Sequence, residues 1–377
     1  MGGVGEVART QAHGLVARGH EVVVATGFDP DRTAERSLPN LSVRQFKIDD
    51  FFVPGGNYRG EAAAYQDFIA REPADIILCH GWRNWATDLA VPALKNHGAK
   101  KIILSHGFDA HIWRPQKRFP WGLGVWTRRQ PYVWRLPKMM RAFDRLVFLS
   151  PRQDAGRFFD HWLAARLLPE RISIIPNGVH RETLRNARSD FRQVFGITAK
   201  YLLLNVANYC DRKNQLATLR DFIQAGRPDA ALVFIGGEFN DYSREMERII
   251  RKNQARLAQS SVLMLEKIPK ELIYAAYRTA DVFLLSAKQE TQPLSILDAM
   301  AAGIPFISTN TGCVAEFSGG LCVPAGKRTI LAIHRLLDDT ELRRQLGRQG
   351  QLDCETKYNW PRVLNDYETL FRQLLNR

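Results

Sequence analysis

The chain has 377 residues, 45% hydrophobic and 24% charged, with a formal net charge of +14. That balance is ordinary for a globular protein, and the length suits two domains at roughly 100–200 residues each. Five cysteines, Cys79, Cys210, Cys313, Cys322 and Cys354, show no CxxC or Cys/His ligand spacing. A disulfide framework and a structural zinc site are therefore not expected, and a reducing, cytoplasmic setting fits best.

Residues 1–18 lack an apolar h-region, so no signal peptide is expected. No apolar run approaches the ~20 residues that cross a bilayer, which predicts a soluble or peripheral protein. Gly2-Gly3-Val4-Gly5 reads as a loop that ought to follow a strand. Residues 7–18 then read as a helix stopped by Gly19. No strand precedes that loop: either the first strand of the expected sheet is absent from this sequence, or the fold copes without it. Gly3-x-Gly5-x-x-Ala8 fits the dinucleotide fingerprint formally, but without its strand, or a fitting acid near residue 29, the match is weak.

Short apolar runs then alternate with helical patterns. Strands are expected at 21–26, 75–79, 101–105, 145–149 and 172–175. A second series is expected at 201–207, 231–236, 262–265, 281–285 and 304–308. β-branched and leucine-rich runs 10–20 residues apart indicate βαβ units with both sheet faces covered. Two doubly wound sheets follow, with a boundary near residues 189–196, beyond the turn Pro176-Asn177-Gly178-Val179. Ligands of such folds bind outside the carboxyl ends of the strands. Residues 360–375 place Val363, Leu364, Tyr367, Leu370, Phe371 and Leu374 on one helical face.

The charge is uneven. Residues 101–150 hold 10 basic and 2 acidic residues. Within 113–141 there are eight Arg or Lys, no acid, and Trp113, Phe119, Trp121, Trp126, Tyr132 and Trp134. Cationic heads with interfacial aromatics suit an anionic membrane surface or a lipid-diphosphate acceptor. A helix with buried Trp and exposed Arg is the plainer alternative. No nucleic-acid fold motif is present.

The most informative stretch is residues 286–309, SAKQETQPLSILDAMAAGIPFIST. A strand ends near Ser286, a polar loop follows, and Pro293 opens a helix that Gly303 and Pro305 stop. The amides of Leu294 and Ser295 at the helix start are an anion site. Glu290 and Asp298 flank that start, eight residues apart. A carboxylate for hydroxyls, amides for phosphate and a second carboxylate are what a nucleotide sugar needs. An ordinary loop with an exposed Glu and a helix-face Asp is the alternative from spacing alone.

This stretch resembles the E-x7-E signature of retaining GT-B glycosyltransferases of family 4, whose helix reads roughly EAMAAGxPV. The resemblance extends to Gly2–Gly5, to Arg18-Gly19-His20-Glu21-Val22, to Pro176-Asn177-Gly178-Val179, to 280–286 and to Trp360. It implies an α/β fold of the GT-B type: two doubly wound Rossmann-like domains facing a central cleft. Residues 1–190 would be the acceptor-side domain, with helix 360–377 packing back on it, and 191–359 the donor domain. The resemblance implies that Glu290 contacts sugar hydroxyls, that Asp298 contacts the ribose, and that Lys213 grips the diphosphate. His106 would meet the sugar's primary hydroxyl or its phosphate, with Asp109 a lesser candidate. Leu294, Ser295, Thr291, Arg212, Asn208 and Gly3 complete the implied donor site.

Three positions depart from the family pattern. Asp298 stands for Glu, Thr291 for Gly, and Asn208 for Arg. The implied reaction retains configuration, needs no metal and no cofactor beyond the nucleotide-sugar donor, and delivers the sugar to a glycan or lipid-linked acceptor. The alternatives are a sugar-nucleotide epimerase and a non-catalytic, degraded sugar-nucleotide-binding protein.

Overall fold

The computed structural model describes residues 3–30, 38–49, 58–108, 121–180, 189–257 and 261–376, with backbone alone for 121–125 and 128. The chain divides into two compact units: Met1–Pro176 with Pro361–Arg377, and Asn177–Trp360. The division falls ahead of the sequence punctuation at 189–196. The cause is local. Val179 N–H donates to the Tyr358 carbonyl at 2.7 Å, and a Cβ on Gly178 would meet the Trp360 backbone nitrogen at 2.8 Å, so this turn is built into the second unit.

The first unit opens with helix α1 (Gly3–Val16), so the stretch expected as a glycine loop is its first turns. Strands β1 (Val22–Gly27) and β2 (Leu41–Phe46) follow and pair in parallel. Then come α2 (Ala62–Arg71), β3 (Ile76–His80), α3 (Trp85–Ala93), β4 (Lys100–Leu104), α4 (Trp121–Met140), β5 (Arg145–Phe148), α5 (Phe159–Leu167) and β6 (Ile172–Ile174). Strands β3 to β6 form a parallel sheet in chain order. The single five-stranded sheet expected here is thus, among the described residues, a pair and a four-stranded sheet. Strand β2 escaped the sequence reading because Ser42, Arg44 and Gln45 are exposed and break the apolar run. Leu94, Ile103, Leu136, Met140, Phe143 and Leu146 form the core.

The second unit holds α6 (Phe191–Val194), β7 (Tyr201–Val206), α7 (Gln215–Ala225), β8 (Ala230–Gly236), α8 (Asp241–Lys252), β9 (Ser261–Glu266), α9 (Lys270–Thr279), β10 (Val282–Leu285), α10 (Leu294–Ala302), β11 (Phe306–Ser308), β12 (Gly320–Cys322), α11 (Lys327–Asp338) and α12 (Thr340–Thr356). All six described strands are parallel in one sheet, ordered β12-β11-β10-β7-β8-β9. Counted within the unit this is the 3-2-1-4-5-6 order of a doubly wound fold, with its switch point between β7 and β10. Leu203, Leu219, Leu232, Phe234, Val282, Ile333 and Leu336 fill the core. Strand β12 has three residues, too few for periodicity to announce. A Cβ on its Gly320 would lie 2.2 Å from the Phe306 carbonyl oxygen.

Helix α13 (Trp360–Leu375) carries the chain back to the first unit. Its expected apolar face is buried at Val363, Leu364, Tyr367, Leu370 and Phe371. Arg18, just past α1, fastens it through Glu368 at 2.7 Å, Asn365 at 2.6 Å and the Pro361 carbonyl at 2.8 Å.

A candidate donor site at the strand switch point

Strands β7 and β10 are neighbours, and the loops leaving their carboxyl ends are bound together. Asn214 adopts a left-handed conformation (φ 54°) that turns the chain into α7. Its amide nitrogen donates to the Ser286 carbonyl at 3.1 Å. Lys288 N–H donates to the Arg212 carbonyl at 2.9 Å, and Lys288 Nζ pairs with Asp211 at 2.5 Å. Below these, Thr218 Oγ1 meets Ser286 Oγ at 3.0 Å, while the buried Gln215 donates to the carbonyls of Ala207 and Asn208. The two loops are therefore held as one surface before any charged group is considered.

On that surface Lys213 Nζ lies 2.6 Å from Glu290 Oε1, and both side chains are largely buried, at 15% and 8% exposure. Arg212 approaches the same oxygen at 3.7 Å but is about half exposed, and also bonds the Gln289 carbonyl at 3.4 Å. A carboxylate this sheltered depends on its cation. Deleting one partner of such a pair typically costs about 3–5 kcal/mol, because the other charge is stranded.

The Glu290 backbone is fixed from a third loop. Glu290 N–H donates to Thr311 Oγ1 at 2.9 Å, and Cys313 N–H to the Thr291 carbonyl at 2.9 Å. Gly312 between them has φ +52°, and a Cβ there would sit 2.2 Å from the Thr291 oxygen and 2.7 Å from that of Glu290. Only glycine fits. Gln292 is buried and accepts the Asn177 N–H at 2.6 Å.

Helix α10 begins immediately after. Pro293 has no N–H, and its carbonyl accepts from Ile296 and Leu297 at 3.1 and 3.3 Å. The amides of Leu294 and Ser295 belong to the first turn and have no acceptor within the helix. Gly303 ends the helix at φ +80°. Asp298 is half-buried one turn along, beside the fully buried Tyr277, whose phenol is pushed up by burial and by the Asp298 charge. Asn208 is exposed, and a Cβ on Gly237 would stand 2.9 Å from its Oδ1.

The second unit thus gathers Lys213, Arg212, Glu290, Thr291, Leu294 and Ser295 around one helix start, with Asp298 a turn further on. The other two sequence candidates lie in the first unit. Gly3 is an exposed residue at the head of α1. His106 lies two residues beyond β4, with its Nε2 3.3 Å from His80 Nδ1. Burial, with a smaller contribution from His80, lowers its pKa to about 3. Asp109 falls outside the described residues, as do Trp113 and Phe119. On α4, Trp134 is 76% exposed and Arg135 and Lys138 are exposed. Tyr132 is core: its hydroxyl donates to Asp88 at 2.6 Å and accepts from Arg83 N–H at 2.8 Å.

Sequence reading missed Thr311, Gly312, Gln292 and His80. The first two lie some twenty residues from Glu290 with no periodic link to it. His80 had a signal, since His80-Gly81 and His106-Gly107 repeat one dipeptide at neighbouring strand ends.

A doubly wound sheet with a cation–carboxylate pair and an open helix start at its switch point has its candidate ligand site where α/β folds of this class bind ligands, and comparison with known proteins gives the family. Residues 187–353 match Glycosyl transferases group 1, and residues 1–183 match Glycosyltransferase Family 4. The chain belongs to these glycosyltransferases and is a transferase enzyme.

Among curated relatives, it is 24% identical over its full length to N-acetyl-alpha-D-glucosaminyl L-malate synthase of Bacillus anthracis, covering 95% of that protein. Its 26% identity to spore coat protein SA of Bacillus subtilis spans about half of each, 50% of this chain and 53% of that one. The fold is that of sucrose-phosphate synthase from Thermosynechococcus elongatus (TM-score 0.76, 20% identity, covering 100% of this chain and 94% of that one). It is also that of Anabaena HepE, solved with UDP-glucose (TM-score 0.70, 15% identity, covering 98% and 96%). Among the described residues no helix is long and apolar enough to cross a membrane.

Proposed function

We propose that this glycosyltransferase takes its sugar from a nucleoside-diphosphate donor, retains the anomeric configuration, and passes the sugar to a glycan or lipid-linked acceptor. The observation that carries this reading is the Lys213–Glu290 pair, 2.6 Å apart, beside the open first turn of α10. The Anabaena HepE complex with UDP-glucose supports the donor class.

In this reading the donor's diphosphate meets the amides of Leu294 and Ser295, with Lys213 and Arg212 supplying charge. Glu290 accepts hydrogen bonds from sugar hydroxyls and Asp298 from the ribose. Thr291 and Asn208 line the donor. His106, held neutral, hydrogen-bonds a sugar hydroxyl or phosphate oxygen. As the bond from C1 to the diphosphate oxygen breaks, the acceptor oxygen bonds C1 from the same face, and its proton passes to the departing diphosphate. Charge builds on that diphosphate, and preplaced cations and amides stabilise it. Glu290 is neutralised by Lys213 and is not assigned the role of covalent nucleophile. The same chemistry needs no metal, so turnover should survive EDTA.

Exposed Trp134, Arg135, Lys138 and Arg141 on and beside α4 are proposed to meet an anionic membrane surface. Replacing Trp134 and Arg135 together should weaken sedimentation with phosphatidylserine vesicles, and unchanged sedimentation removes this part of the reading.

The deciding experiment is a thermal-shift screen against UDP, GDP, ADP and their sugar conjugates. A ligand at 100 times its dissociation constant adds about 2.7 kcal/mol. Stabilisation by one nucleotide, weakened in Lys213→Ala and in Asp298→Ala, is the expected result. Folded protein that responds to none of them would refute the donor assignment.

A further inference from the structure

Lys213 Nζ and Glu290 Oε1 face each other at 2.6 Å with 15% and 8% of their side chains exposed, so neither head group can turn far into solvent. Their backbones hold them there. Glu290 N–H donates to Thr311 Oγ1 at 2.9 Å, and the Arg212 carbonyl next to Lys213 accepts the Lys288 N–H at 2.9 Å. Arg212 lies 3.7 Å from the same Glu290 oxygen, and Lys288 pairs with Asp211. On these two loops Lys213, Arg212 and Lys288 thus stand against Glu290 and Asp211, which leaves one net positive charge.

An anion that bonds Lys213 Nζ at the usual distance of about 2.8 Å lies no further than about 5.5 Å from the Glu290 oxygen. In a site this sheltered the two negative charges repel, whether or not Lys213 keeps both contacts. A bare diphosphate therefore meets a penalty that the cations alone would not impose. A sugar on the terminal phosphate alters this in two ways. It removes about one negative charge, because the second ionisation near pH 6 is lost on esterification. It also brings hydroxyls, which donate to a carboxylate that has only acceptor oxygens to offer.

We propose that the Glu290 carboxylate makes the site select a diphosphate that still carries its sugar over one that has lost it. This selection rests on the donor reading above, and it gives that site a means of release. The charge that appears on the diphosphate as the sugar leaves is the charge that Glu290 repels. Lys213 and Arg212 hold the donor, and Glu290 keeps them from holding the product equally well.

The test is calorimetric titration of the full chain at pH 7.5, without divalent cations, with pyrophosphate, UDP and UDP-glucose. GDP with GDP-mannose and ADP with ADP-glucose serve as the pair if uracil is not the base. Glu290→Gln keeps the shape and an acceptor oxygen for Lys213 and removes the charge. It should bind pyrophosphate and the bare nucleotide about 10-fold or more tightly than wild type, the scale of removing one like charge at that separation. Affinity for the sugar conjugate should stay the same or fall, so the preference moves towards the bare nucleotide. A variant that binds pyrophosphate and the bare nucleotide no better than wild type would overturn the proposal. So would a variant that binds all the ligands more tightly by the same factor, since that is charge without selection. Wild type decides the matter by itself if the variant does not fold. It should hold the sugar conjugate at least as tightly as the bare nucleotide, despite the latter's extra charge; a bare nucleotide bound about 10-fold more tightly would count against Glu290. Folded wild type that binds neither pyrophosphate nor any of the nucleotides puts the donor reading at fault, and the selection falls with it.

Discussion

In the second unit six parallel strands form one sheet, and two of its loops meet across the β7–β10 junction. In the first unit the six described strands lie in a pair and a set of four, and their chemistry rests on β3 and β4. Both units use the carboxyl ends of adjacent parallel strands, where side chains from distant sequence are brought within bonding distance. They fill that place differently. The second unit sets a charged pair, Lys213 and Glu290, beside a helix start. The first sets two histidines that burial keeps uncharged. Burial acts differently in the two places: in the second unit each charge of the pair neutralises the other, whereas in the first desolvation keeps the imidazoles uncharged.

The contrast can be broken at its strongest point. Glu290→Ala should lower turnover roughly 100-fold or more, the scale of losing a preorganised polar contact in a transition state, and should also destabilise the fold by about 3–5 kcal/mol, because Lys213 is left buried and unpaired. Turnover within a factor of three of wild type would remove Glu290 from the site.

Next in size is the backbone beneath it. Gly312→Ala forces a Cβ into the Thr291 and Glu290 carbonyl oxygens at a left-handed φ. A loss of about 2–3 kcal/mol in urea unfolding is expected, with weaker nucleotide binding.

The first unit should answer to acid. Unfolded His80 and His106 take up protons near 6.5, and their folded forms only near about 4 and about 3. Between those values the unfolded state binds more protons, so stability is complete above pH 6.5 and is lost as the pH falls. At pH 5 the loss is on the order of 2 kcal/mol for the partly exposed pair. Urea unfolding followed by tryptophan fluorescence reads it well, since seven of the eight tryptophans precede residue 176. Changing both histidines to Asn should flatten the dependence; an equally steep acid loss in that double variant would assign it elsewhere.

The smallest effect tests the turn after His80. Asn84→Ala removes the α3 cap and the bonds that clamp Gly81, and should cost about 1 kcal/mol. It should leave nucleotide affinity in the second unit unchanged.

Much of this was legible in the sequence because it rests on local rules. Apolar runs between helical patterns announced ten strands, and the Pro293-to-Gly303 punctuation placed α10 to within a residue or two. The spacing of Val363, Leu364, Tyr367, Leu370 and Phe371 gave the buried face of α13. Strands β2 and β12 were not legible, one because it is half polar and the other because it has three residues. Gly3, placed by pattern in a loop, is helical because nothing in residues 3–6 stops the α1 pattern from extending towards its start.

What the sequence determined by itself was burial periodicity, helix limits and the residue types offered near each strand end. The tertiary structure decided which of those residues meet. Lys213 and Glu290 are 77 residues apart, and they touch only because β7 and β10 are neighbours in the sheet. Gly312 supports Glu290 because β11 is the next strand out, and His80 reaches His106 because β3 lies against β4. Strand order follows from how whole helices and strands pack, and no local pattern of residues encodes it.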